Sequence, residues 1–170
     1  MTDKKIKEIV RVNHAGEMGA IEIYKGQLAV LKNKQISKEI LSMLKQEEKH
    51  YKTFCELLLK HNIRPTLLSP LWKVGGFSLG VFTAILGRES TMACTEAIEE
   101  VIVKHYERQT KYLKNNKNQL YKITSKFAKE EQEHMNVANK SGTGRGIRFT
   151  LLKSGIKSMS KLAIKIAEKI

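Results

Sequence analysis

Residues 47–50 read Glu47-Glu48-Lys49-His50, and residues 131–134 read Glu131-Gln132-Glu133-His134. On a helix, a spacing of three puts the Glu and the His of each motif on one face, about 5–6 Å apart. Each motif has a glutamate upstream: Glu17 lies 30 residues before Glu47, and Glu99 lies 32 before Glu131. The two sets are offset by 82 to 84 residues, and Tyr24 with Tyr106 and Gln27 with Gln109 repeat at the same offset. Chance alone supplies roughly 0.5 Glu-x-x-His matches in a chain of this composition, so two matches are weak by themselves. The paired upstream glutamates and the duplication are the added information.

The duplication also carries a geometry. The midpoint between Glu17 and Glu47 falls at Lys32, in the turn Lys32-Asn33-Lys34, and that between Glu99 and Glu131 at Asn115, in Asn115-Asn116-Lys117. In an antiparallel helix pair, residues equidistant from the turn lie level. Each half therefore brings one Glu opposite one Glu-x-x-His. Apposing the halves predicts four carboxylates and two imidazoles at one level, the ligand set of ferritin-like di-iron or di-manganese bundles. The candidate metal ligands are thus Glu17, Glu47, His50, Glu99, Glu131 and His134. Their oxygen and nitrogen donors suit iron or manganese without a thiolate. Four carboxylates balance two divalent ions; without metal they would repel one another and rise in pKa.

Outward from the motifs, the apolar periodicity predicts helices over 5–32, 37–61, 89–114 and 118–140. Residues 71–87 form an apolar, glycine-bearing crossover after Pro65 and Pro70, and 148–170 a last helix. The expected fold is all-α: a ferritin-like four-helix bundle with an apolar crossover segment and an extra C-terminal amphipathic helix, in a single domain over 1–170. The composition agrees, with 41% apolar residues and two prolines, and no run of alternating β-branched residues calls for a sheet. Gly142-Thr143-Gly144-Arg145-Gly146 follows a helix rather than a strand, so it reads as a hinge and not a phosphate cradle. Cys55 and Cys94 form no C-x-x-C pair and read as reduced, packed thiols. Met1-Thr2-Asp3-Lys4-Lys5 has no apolar signal core, so no exported or membrane-spanning chain is expected.

Other acids and histidines are set apart by phase. Glu100 has Lys104 at i+4 and reads as surface. Glu96 shares a face with Glu99 and is a candidate neighbour of the site. Glu48, Glu130 and Glu133 fall on solvated faces. His14, three residues before Glu17, is expected either to orient a ligand or to cap the first turn; His61 lies at a helix end.

Net charge is +14, with 31 Lys and Arg against 17 acids. Such a surface favours an anionic partner, lipid headgroups or nucleic acid. Val74 to Gly87 carry no charge over 14 positions, too short a run to span a bilayer and long enough to dip into its interface. The last helix places Lys153, Lys157, Lys161, Lys165 and Lys169 at strict i+4 spacing, beside Leu152, Ile156, Met159, Ala163, Ile166 and Ile170. That pattern predicts a basic amphipathic helix suited to anionic lipid.

At these residues the chain resembles the demethoxyubiquinone hydroxylase family of ubiquinone biosynthesis. The resemblance rests on Arg11-Val12-Asn13-His14-Ala15-Gly16-Glu17, on Arg64-Pro65-Thr66 with Pro70-Leu71-Trp72, on Met92-Ala93-Cys94-Thr95 with Glu99-Glu100, and on Glu130-Glu131-Gln132-Glu133-His134. It covers nearly the whole chain. Asn13 stands where the family pattern has Asp, and Met18 where it has Tyr. The resemblance implies a di-iron centre on the six residues named above. It implies a monooxygenase that uses dioxygen to hydroxylate the ring of a demethoxy-quinol with a polyprenyl tail, with electrons from the quinol or from NADH. It also implies a peripheral position on the cytoplasmic face of a bacterial inner membrane and protein partners of the same biosynthesis. His105 and Tyr106 align with a His-Tyr pair that the family uses in substrate or electron handling. Helical phase puts Tyr106 on the Glu99 face and His105 about 120° away.

Three rival readings share parts of this pattern. A ferritin-class iron-storage or ferroxidase protein has the same ligands but needs a cage-forming surface, against which the apolar crossover and lysine-rich tail argue. A di-iron hydroxylase of tRNA suits the charge, but aromatic interleaving is sparse and no nucleic-acid partner is expected. A basic helical module without enzymatic activity would bind no stoichiometric metal.

Overall fold

Asn33 ends one helix and begins the next. Its side-chain oxygen accepts hydrogen bonds from the backbone N–H groups of Gln35 (3.0 Å) and Ile36 (3.1 Å), so the second helix starts at Lys34 rather than at 37 as expected. The computed structural model describes residues 4–116 and 118–169. Met1 to Asp3, Lys117 of the second expected turn and Ile170 of the last apolar row lie outside the described residues. Six helices follow in order: α1 (Lys4–Val30), α2 (Lys34–Lys60), α3 (Ser69–Ile85), α4 (Arg88–Asn115), α5 (Leu120–Lys140) and α6 (Ile147–Lys169). Among the described residues there is no strand. The chain is all-α, with the helix order expected of a ferritin-like protein. The α5–α6 connection turns on Gly142 and Gly146, both at positive φ (90° and 101°), where a side chain would be strained.

The chain divides into two compact units, Met1–Thr91 with Lys161–Ile170, and Met92–Ser160. In the first, α1 packs against α2 and α3. Val10, Ile36, Ile40 and Phe54 are fully buried, which accounts for the apolar stripe of each helix. The last turns of α6 join this unit through Ala167, which clusters with Val12 and Ala15 beneath Trp72 and Ile164.

The α1–α3 contact is made by backbone. A Cβ placed on Gly80 would lie 2.1 Å from the Ile23 carbonyl oxygen, and one on Gly26 would lie 2.2 Å from the Phe77 carbonyl oxygen. Glycine at both sites lets the two helices close to a distance no side chain permits. The consequence shows on the other side of α3. Leu71, Val74, Phe82 and Ile85 are 53–68% exposed, because the glycines rather than the large apolar residues face α1. The crossover is therefore a helix that keeps its grease outward.

In the second unit, α4 and α5 form a hairpin. Thr110 Oγ1 donates to Thr124 Oγ1 at 2.8 Å, and Tyr106 meets the edge of Phe127 at 6.2 Å between centroids. The first part of α6 is tied to α4 by Lys153–Glu96 (2.9 Å) and by Lys157–Glu100. This corrects the expected lysine stripe: Lys153 and Lys157 answer acids of the same unit, and Lys161, Lys165 and Lys169 are the exposed remainder. The expected apolar row is likewise divided, with Ile156 buried at 3% and Met159 exposed at 62%.

Candidate metal centre

In the first unit, α1 supplies Glu17 and α2 supplies Glu47 and His50, all buried. His50 Nδ1 lies 3.4 Å from Glu17 Oε2 and 3.7 Å from Glu47 Oε2. Each of the three residues offers one donor atom, and those atoms lie within 4.8 Å of one another. The i,i+3 spacing of Glu47 and His50 delivers them to the α1-facing side of α2, and the short turn at Asn33 sets Glu17 level with them.

The second unit repeats the arrangement. Glu99 on α4 and Glu131 with His134 on α5 are all buried. His134 Nδ1 lies 3.1 Å from Glu131 Oε2 and 4.0 Å from Glu99 Oε1, and the three donor atoms again fall within 4.8 Å of one another. The second connection is longer than expected, running from Asn115 to Leu120. That shift moves the level partner of Glu99 along α5 toward His134, and the spacing of 32 rather than 30 residues reflects it.

Each triad fits a hard or borderline divalent ion. Donors held at about 2.1 Å by one metal stand roughly 3 Å apart when adjacent, close to the separations found. The donors are carboxylate and imidazole, with no thiolate among them. A carboxylate buried to this depth needs a counter-charge or a proton, and a divalent cation supplies the former.

The flanking residues sort as follows. Glu96 pairs with Lys153. Glu100 accepts from Lys104 at 2.5 Å and from Lys157, and those hydrogen bonds hold its carboxyl down at about 2. Glu48 and Glu133 are exposed, Glu130 pairs with Lys126 at 3.8 Å, and His61 is the C-cap of α2, all as expected. Cys94 is fully buried, and Cys55 is half-buried beside Tyr51.

His14 caps nothing: α1 begins ten residues earlier at Lys4. Its ring stacks on Tyr51 at 4.7 Å, next in sequence to His50. Burial, and then the Lys73 ammonium, lower its pKa from 6.5 to about 4. The unfolded chain therefore takes up a proton that the fold refuses. This contribution to stability is intact above pH 6.5, falls as pH drops toward 4 and is lost below that. About 2 kcal/mol should disappear between pH 6.5 and 5. His14→Phe, which keeps a ring against Tyr51, is expected to flatten that part of the urea-unfolding pH profile; an unchanged slope would refute the assignment.

Tyr106 is buried at 1% and His105 at 8%. The Gln109 side-chain nitrogen lies 2.6 Å from His105 Nε2. Sequence reasoning noted Gln109 only as a repeat of Gln27; its i,i+4 spacing from His105 was the signal that could have paired them.

A family profile described as "Ubiquinone biosynthesis protein COQ7" matches residues 4–167. The chain is 43% identical over 166 residues to the 3-demethoxyubiquinol 3-hydroxylase of Rhodospirillum rubrum, covering 97% of this chain and 78% of that one. It is 41% identical over 169 residues to the NADPH-dependent 3-demethoxyubiquinone 3-hydroxylase, mitochondrial, of Bos taurus, covering 97% and 78%. The protein of the same name from Caenorhabditis elegans is 40% identical over 169 residues, covering 97% and 90%.

Proposed function

The chain belongs to the ubiquinone biosynthesis protein COQ7 family, and on that premise we propose that it is a 3-demethoxyubiquinol 3-hydroxylase, a monooxygenase that adds a hydroxyl group to the ring of a demethoxy-quinol. The observation that carries the reading is the full-length match together with two intact, buried Glu-Glu-His triads on matching helix hairpins. In this reading Glu17, Glu47, His50, Glu99, Glu131 and His134 hold two iron ions in one ferritin-like catalytic domain. When bound, the iron pair supplies the redox chemistry that activates dioxygen. The protein's own part is to fix six ligands, hold the ring and keep bulk water out. His105 and Tyr106 are the candidate residues for handling the substrate. Electrons come from the quinol or from a reduced nicotinamide, the latter in keeping with the printed names of the mitochondrial relatives.

The direct test is reconstitution. The chain loaded with ferrous iron, given a short-chain demethoxy-quinol, a reductant and dioxygen, is expected to yield a product heavier by one oxygen atom, with the label following isotopic dioxygen. No such product from iron-loaded protein would remove the hydroxylase reading.

A polyprenyl substrate resides in a bilayer, and we place the protein peripherally on the cytoplasmic face of a bacterial inner membrane. No helix among the described residues is long and apolar enough to cross a membrane. The outward row of α3 and the exposed lysines at the end of α6 supply an apolar and a cationic contact. Val74→Asp with Ile85→Asp, both at exposed sites, is expected to weaken binding to phosphatidylglycerol-containing vesicles about 100-fold with metal content unchanged. Equal flotation of variant and natural chain would reject this surface.

A further inference from the structure

α4 carries a buried imidazole outside the ligand set. His105 is 8% exposed, and the 82-residue repeat puts Ile23 at its counterpart on α1. The duplication thus keeps Tyr24 with Tyr106 and Gln27 with Gln109, yet exchanges hydrocarbon for a ring with two polar nitrogens in one half only. An unmet buried polar group costs about 1–3 kcal/mol, so the exchange needs a partner. Gln109 provides it, one helical turn on, with its side-chain nitrogen 2.6 Å from His105 Nε2. The counterpart Gln27 does something else: its amide N–H donates to the Thr91 carbonyl at 3.4 Å.

The pairing fixes a proton. An amide nitrogen has only hydrogens to offer, so Nε2 of His105 accepts. A neutral imidazole whose Nε2 accepts carries its hydrogen on Nδ1. Helical phase adds a direction. At about 100° per residue, Tyr106 lies about 20° from Glu99, Gln109 about 80° and His105 about 120° on the same side. Gln109 therefore stands between the ligand-bearing face of α4 and the imidazole, three residues from Tyr106 and four from His105.

We propose that Gln109 is a positioning residue that locks His105 in the Nδ1–H tautomer and so makes the imidazole a fixed hydrogen-bond donor toward a quinol-type ring oxygen. The lock is a property of the fold. Its use on a quinol rests on the hydroxylase reading and on His105 handling the substrate.

The test separates the two. In the full chain prepared metal-free, so that no paramagnetic ion broadens the ring signals, long-range proton–nitrogen NMR is expected to show His105 protonated at Nδ1 and bare at Nε2. Gln109→Met keeps length and bulk without a donor, and is expected to lose the single tautomer. In the iron-loaded chain the same variant should lower kcat about 10-fold with the quinol KM within about twofold, since the misplaced donor matters at the transition state. Gln109→Glu asks Nε2 to donate instead, and is expected to invert the tautomer and to turn over no faster than the Met variant. Protonation at Nε2 in the natural chain overturns the proposal, as does a Gln109→Met variant that keeps both tautomer and turnover. Were the natural chain to hydroxylate nothing, the proposed function would fall while the NMR result still decided the lock.

Discussion

Glu131→Ala is expected to lose iron and hydroxylation together, while its metal-free form melts no lower than the metal-free natural chain. Glu131 is fully buried on α5, 3.1 Å from His134 Nδ1 in a triad it shares with Glu99. With metal, its carboxylate is a ligand and a quarter of the compensating charge, so its removal should be felt in binding before anything else. Without metal, the same carboxylate is a liability. Keeping an ionised carboxylate out of water costs several kcal/mol, and a second one in the same triad raises that cost or forces a proton onto the pair. Truncation to alanine leaves a cavity worth about 2 kcal/mol, which is the smaller effect. Metal analysis and calorimetry on the two metal-free proteins check both halves of the expectation. In the natural chain, added iron should raise the melting temperature by mass action, and in the variant it should raise it less. A metal-free Glu131→Ala protein much less stable than its parent would mean that the carboxylate is a structural hydrogen-bonding group and the triad no cation site.

Gly80→Ala is expected to produce the largest loss of stability from the smallest change in volume. The added methyl would sit 2.1 Å from the Ile23 carbonyl oxygen and 2.9 Å from the Gln27 nitrogen. Both are backbone atoms inside the regular part of α1, so no side chain can swing away, and α3 must lift. Overpacking of this kind costs about 3 kcal/mol or more, or roughly 6–12 °C in a chain of this size. Gly26→Ala strikes the same contact from the other helix, at the Phe77 carbonyl. Because either change already separates the helices, the double variant should cost much less than the two singles added. Thermal melts of the three variants read this directly, and strict additivity would show that the two glycines act at separate places.

The parts legible in the sequence are those that repeat. Glu47 with His50 and Glu131 with His134 declare a helix face by spacing, and the upstream Glu17 and Glu99 declare hairpins by symmetry about a turn. Asn33 marks the first turn well because an N-cap needs that side chain. The parts that stayed hidden depend on what comes close in three dimensions. The lysines of α6 read as a uniform stripe, since nothing in their spacing tells that Glu96 and Glu100 wait opposite Lys153 and Lys157. Gly26 and Gly80 are visible as glycines, yet their use depends on a neighbour 54 positions away in the chain. The pKa of His14 depends on Lys73 and on burial, neither of which a local window contains.

The glycine seam between α1 and α3 has a consequence for how this chain can vary. A helix clasped through its main chain does not depend on its outward side chains to stay in place. Position 80 should admit glycine and nothing else in a saturation library, whereas Leu71, Val74, Phe82 and Ile85 should accept any oily residue without loss of folding. A lineage can thus retune the outer row to bilayers of different thickness or fluidity, leaving the scaffold beneath untouched.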